Sequence, residues 1–124
     1  MKAEISDLYS DYLKEFHKQE HGMAYSFYSA PCLFISESEV YALESESAVK
    51  SFFQNMFDML RESGYMHSEV DNFKIEMLGV NLAQLSCSVP RFLNNHVEPE
   101  TFHTIYTMKK DNARWKFVTV ITYT

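Results

Sequence analysis

The sequence predicts an α+β domain: about three helices, all from the N-terminal half, packed on the concave face of a curved, cone-shaped antiparallel sheet. Two observations predict it. Apolar residues recur with the 3.6-residue period of a helix in much of the first half, and with the two-residue period of a strand from Phe73 onward. Helices first, followed by a long meander, place the helices on one side of the sheet. The chain has 124 residues, and residues 1–124 read as a single domain, with no repeat, low-complexity stretch or linker to divide them. A domain of this size buries roughly two-thirds of its unfolded surface and needs no staples.

The first helix is marked by Ile5, Leu8, Tyr9, Tyr12, Leu13 and Phe16, which share one helical face. The pattern breaks at His21-Gly22, and a second, shorter helix is expected to carry Met23, Phe27 and Tyr28 before Pro31 ends it. Cys32 to Ile35 read as a strand. After the acidic turn Ser36-Glu37-Ser38-Glu39, Val40 to Leu43 read as its partner. The third helix has a cap at Ser45 or Ser47, a stripe of Val49, Phe52, Phe53, Met56, Phe57 and Leu60, and a stop at Gly64.

Phe73, Ile75 and Met77 then alternate with Lys74 and Glu76, and a turn at Gly79-Val80-Asn81 leads into Ala83, Leu85, Cys87 and Val89. Pro90 predicts a bulge or an edge position late in that strand. A loop at Asn94-Asn95-His96 precedes Phe102, Thr104, Tyr106 and Met108, and Asp111-Asn112 supplies the next turn. In the last segment Trp115, Phe117, Thr119, Ile121 and Tyr123 lie on one side and Val118 and Val120 on the other. Both faces are then apolar or semi-apolar, whereas a sheet of this kind normally keeps one wet face. A second copy of the chain is the expected cover, with Val118, Val120 and His103 on the outer sheet face of a homodimer.

Composition removes several classes of function. The net charge is −6 and the basic residues are scattered, with Lys109-Lys110 as the one adjacent pair, which argues against nucleic acid and against an anionic membrane surface. The first residues carry no secretory apolar run, and no stretch approaches the ~18 apolar residues of a membrane-spanning helix, so a cytoplasmic location is expected. Cys32 and Cys87 lie in apolar strand-like segments and read as reduced core residues. No P-loop, dinucleotide glycine motif or serine elbow is present, and neither a metal nor a cofactor is expected. The aromatic share is 15%, enough rings to fill a core or to line an apolar pocket.

The order of these elements, with Phe27-Tyr28-Ser29-Ala30-Pro31-Cys32-Leu33-Phe34-Ile35, the helix from Ala48 to Leu60, Met77-Leu78-Gly79-Val80-Asn81-Leu82-Ala83, and Tyr106-Thr107-Met108 followed by Arg114-Trp115-Lys116-Phe117, resembles the nuclear transport factor 2-like superfamily. That superfamily includes polyketide-cyclase-like (SnoaL-like) domains and ketosteroid isomerases, and the resemblance spans essentially the whole chain. It implies a cystatin-like fold. Asn112-Ala113-Arg114 stands where the family often has a Gly before the Trp, and Asn112 can take the left-handed conformation that the turn needs. In the isomerase branch an Asp acts as base, with a Tyr and a protonated acid as oxyanion donors. The resemblance puts Tyr12 at the Tyr, Ser36 at the base and Phe102 at the second acid. A Ser without an activating base does not replace a carboxylate, and a Phe donates nothing, so no catalytic residue is assigned.

The expected pocket lies between helices and sheet, walled by Phe16, Phe34, Phe53, Phe57, Phe102, Tyr106 and Trp115, with Tyr12 and Ser36 as its polar groups. The leading expectation is a noncatalytic, homodimeric domain that holds a small hydrophobic molecule. A cyclase, dehydratase or hydrolase would instead need two of Arg91, His67, Glu69 and His103 turned inward within reach of each other. A third reading is a protein-interaction module whose cone is filled by its own rings. His17 and His21 are spaced i, i+4 but lack a third ligand at a fixed offset, and read as a solvated helix end. Arg91 alternates with Val89, Cys87 and Leu85, and Pro90 leaves open whether it faces the pocket or solvent.

Overall fold

The computed structural model describes residues 2–124. Helix α1 spans Lys2–His17 and helix α2 Glu46–Glu62. Strands β1 to β7 span Tyr28–Ile35, Val40–Leu43, Tyr65–Ser68, Asp71–Gly79, Leu82–Leu93, Glu100–Asp111 and Arg114–Tyr123. They form one sheet in the order β2-β1-β7-β6-β5-β3, with β4 also pairing with β5. Every ladder is antiparallel except that between β1 and β7, which is parallel. The family of curved α+β folds is as expected from the sequence. Among the described residues there are two α-helices, where the sequence pattern predicts about three.

In α1, Ile5, Tyr9, Tyr12 and Phe16 are buried along one stripe, and the helix stops where Gly22 passes the backbone of Glu15. A Cβ at Gly22 would lie 2.1 Å from the Glu15 carbonyl oxygen, so only glycine permits this approach. The expected second helix is a single 3₁₀ turn, Ala24–Phe27, and Tyr28 already belongs to β1, in register with Phe117. Pro31 lies within that strand and disfavours helical geometry in the residue before it. In α2 the Ser45 hydroxyl accepts from the Ala48 N–H at 3.1 Å, and Val49, Phe53, Phe57 and Leu60 form the buried stripe. Gly64, at φ 80°, takes the left-handed conformation that ends the helix.

Two irregularities decide which side chains reach the interior. Pro90 neither bulges nor ends its strand, because the β5–β6 register runs unbroken from Leu82–Lys109 to Arg91–Glu100. The Pro90 carbonyl accepts from the Glu69 N–H at 2.9 Å. Its missing N–H would point the same way, toward the junction where β4 gives way to β3, so no ladder bond is lost against β6. Alternation therefore continues through Pro90.

The second irregularity lies in β7. Phe117 pairs with Met108 and Thr119 with Thr107, which leaves Val118 as an extra residue. This bulge reverses the alternation. Trp115 and Phe117 are buried below it, while Val120 is the buried residue above it. Val120 therefore faces the interior and not the outer sheet surface where uninterrupted alternation puts it. The outer face instead presents Ile105 opposite Ile121, His103 opposite Tyr123, and the Thr107 and Thr119 hydroxyls hydrogen-bonded at 2.6 Å. Among the described residues no helix is long and apolar enough to cross a membrane.

Candidate functional site

The helices do not fill the hollow of the sheet. A cavity of about 240 Å³ remains between α1, α2 and the inner faces of β1, β5, β6 and β7. From α1, Tyr9, Tyr12, Leu13 and Phe16 line it, placed there by the same stripe that buries the helix. Phe52 and Met56 contribute from α2, Tyr28, Phe34 and Ile35 from β1, and Val89 and Arg91 from β5. Thr104 and Tyr106 come from β6, and Val120 and Thr122 from β7 beyond its bulge.

The expected pocket residues divide into two groups. Tyr12, Phe16, Phe34, Ser36 and Tyr106 line the cavity. Phe53 and Phe57 stand behind the wall: Phe53 packs on Tyr28 and Phe34 with ring centroids 5.1 and 5.8 Å apart, and Phe57 on Phe16 at 5.2 Å. Trp115 is buried at the other end of the sheet, beside Glu4 and Leu8 of α1, because the start of the helix covers that end. Phe102 lies under the Arg91 guanidinium, whose carbon is 4.6 Å from the ring centroid. Its contribution to the site is that stacking contact.

Tyrosines dominate the polar chemistry. The Tyr12 and Tyr28 hydroxyls are hydrogen-bonded at 2.8 Å, and that of Tyr9 meets the Cys87 sulfur at 3.4 Å. Burial pushes the Tyr12 phenol well above its ordinary pKa, and the bond to Tyr28 and the charge of Arg91 only partly offset it. Tyr9, Tyr28 and Tyr106 are raised by burial too, and the Cys32 thiol is pushed up to about 11 for the same reason. These phenols are neutral hydrogen-bond groups near pH 7. Ser36 uses its hydroxyl within the β1–β2 turn, accepting from the Glu39 N–H at 3.2 Å.

The groups that acid–base chemistry would require are dispersed. His67 lies 3.4 Å from Glu69, both exposed, and stacks on Phe92 at 4.5 Å. His103 faces outward, 3.1 Å from the Ser88 hydroxyl. His17 accepts from the Ser68 N–H at 3.3 Å while His21 faces Glu20 at 3.7 Å, so the two imidazoles do not converge. Arg91 reaches the cavity and is the one charged side chain among the described residues lining it.

Some lining residues could have been read from the sequence. Thr104 shares alternation with Phe102 and Tyr106, and Leu13 adjoins Tyr12 on the helical stripe. Val120 and Thr122 carried no such signal, because a bulge is invisible in a pattern of alternating residues.

A curved sheet wrapped around two helices, with a cavity held between them, defines a nuclear transport factor 2-like domain of the cystatin-like kind. The chain belongs to the family described as NTF2-like protein (DUF6841), whose model matches residues 3–124. Among solved structures it is similar to an NTF2-like protein of unknown function from Pseudomonas putida, with a TM-score of 0.81 at 11% identity, covering 98% of this chain and 84% of that one. It is also similar to an NTF2-like protein of unknown function from Shewanella oneidensis, with a TM-score of 0.77 at 14% identity, covering 99% and 98%. A domain of unknown function with a cystatin-like fold from Nostoc punctiforme gives 0.76 at 17% identity, covering 99% and 78%. A comparison with curated protein sequences gives no match.

Proposed function

We propose that this chain is a noncatalytic, homodimeric binding domain that takes a small, largely hydrophobic molecule into the hollow of its sheet. The observation that carries the reading is the cavity of about 240 Å³, walled mainly by rings and aliphatic side chains, with a few polar groups to fix orientation. It lies below the range of about 300–1,000 Å³ common for drug-sized ligands, so the molecule is small. The noncatalytic part is supported by the residues themselves. No carboxylate or imidazole is among the described residues lining the cavity, and the tyrosines there hold their protons.

Pairing is supported by the outer sheet face. Ile105, Ile121, Tyr123 and Leu33 form an uncharged surface with Thr107 and Thr119, beside His103 and the bulge residue Val118. A second copy would cover it.

Native mass spectrometry tests both parts. The expected result is a dimer that retains a small molecule or takes up one cinnamyl alcohol per subunit, and a monomer for Ile121→Glu. A wild-type monomer at micromolar concentration refutes the pairing. A dimer that takes up no neutral aromatic probe at millimolar concentration refutes the pocket.

A further inference from the structure

An arginine faces this apolar cavity without a counter-ion. Among the described residues Arg91 forms no ion pair, and its Nε is buried with no hydrogen-bond partner. Its partner across the β5–β6 ladder is Glu100, which is exposed and outside ion-pairing distance. Arg91 is half-buried, and a guanidinium cannot shed its charge by losing its proton as a lysine can, so the part of it that faces the cavity calls for water or an anion. The face of Phe102 lies 4.6 Å from the guanidinium carbon and supports it in one orientation.

We infer that the ligand of this cavity is a small monocarboxylate with an apolar, ring-sized body, held by its carboxylate on Arg91. The inference rests on the pocket reading above and narrows its ligand class. A planar fork of N–H donors matches a carboxylate in a bidentate pair. One unpaired cation balances one negative charge, which favours a carboxylate over a phosphate dianion. The other polar groups on the wall are hydroxyls of tyrosine, serine and threonine, among them the Tyr12–Tyr28 pair, Ser68 and Thr104, and as neutral groups they add no competing charge. The rest of the wall suits the apolar body. Arg91 acts here as an anchor.

The test compares cinnamate with cinnamyl alcohol, which share a body and differ in charge, by calorimetry on the intact protein. Wild type is expected to bind cinnamate about tenfold more tightly or better, the range of a charge-assisted bond. Arg91→Met is expected to abolish that preference, so that the two probes bind with affinities within about twofold of each other. Arg91→Lys is expected to keep part of it. Equal affinity of wild type for the two probes overturns this inference while the pocket reading stands. Binding of neither overturns the pocket reading itself. Because the decisive ratio is measured on wild type, a poorly folded Arg91→Met does not rescue the inference. Glu100→Gln is expected to leave cinnamate affinity unchanged; a rise would mean that Glu100 already neutralises Arg91 in solution, against the inference.

Discussion

Replacing Tyr12 by Phe removes one hydroxyl from a buried pair and leaves the ring in place. The Tyr12 and Tyr28 oxygens are 2.8 Å apart, on side chains only 4% and 5% exposed. The rings are also packed, with centroids 5.7 Å apart and a nearly perpendicular tilt, so Phe keeps the packing. Tyr12→Phe leaves the Tyr28 hydroxyl without that partner, at a cost of about 1–3 kcal/mol. Tyr28→Phe does the same to Tyr12. The double variant leaves no orphan, and its loss falls below the sum of the single losses by about 1–2 kcal/mol. Urea unfolding at neutral pH measures all four corners of the cycle. Additive single effects near zero would refute the reasoning, because each hydroxyl would then have another partner, such as cavity water.

High pH should expose the same tyrosines. Tyr9, Tyr12, Tyr28 and Tyr106 hold their protons in the folded chain above the ordinary value of 10.0, whereas the unfolded chain releases them near it. The unfolded state then binds fewer protons, so stability is full below pH 10 and falls as pH rises above it, by about 1.4 kcal/mol per pH unit for each phenol. Together they predict a loss of about 5 kcal/mol per pH unit, and a urea midpoint unchanged between pH 10 and 11 refutes it. Ala113→Gly should stabilise the domain. Asn112 and Ala113 form the β6–β7 turn at φ 52° and 64°, where an alanine costs about 1–2 kcal/mol. Glycine removes that cost and returns about 0.5–1 kcal/mol of it as unfolded-chain entropy. A rise in Tm of about 2–5 °C is expected; a fall contradicts the strain argument.

Local chemistry made much of the fold legible. The cap at Ser45, the stripe from Val49 to Leu60 and the stop at Gly64 are nearest-neighbour signals, and they suffice to place α2. The strands from Phe73 onward announce themselves by alternation. What stayed hidden depends on contacts distant in sequence. The bulge at Val118 follows from how β7 meets β6, and one extra residue moved Val120 from the outer face to the cavity wall. Pro90 is a strand-breaker by type, yet it sits where β5 exchanges one partner for another and needs no N–H. That placement turns Arg91 inward. Phe53, Phe57 and Trp115 show the same limit from another side: a pattern identifies an inward face but not which neighbouring ring or helix covers the side chain found there.

The cavity and Arg91 are best understood together, because each is a cost that a purely structural core would avoid. An enclosed, dry void of about 240 Å³ would destabilise a domain by on the order of 6 kcal/mol at the cost per volume found for core cavities, and hydration through an open side lowers that figure. Domains of this size are stable by only about 5–15 kcal/mol. The rings that wall the hollow also prevent its collapse. Tyr12 is held by Phe117 at 5.0 Å and by Tyr28 at 5.7 Å, and Phe34 by Phe52 at 4.4 Å, so none can swing inward without breaking its own packing. Filling the space would take a few larger aliphatic residues at Thr104 or Val120, and relieving the charge would take a Met or Leu at position 91. The sequence does neither, and both departures from ordinary core design fall on the walls of the same cavity. Local rules are broken in natural proteins chiefly where function requires it, and a ligand with an apolar body and one negative charge would offset both costs in a single binding event.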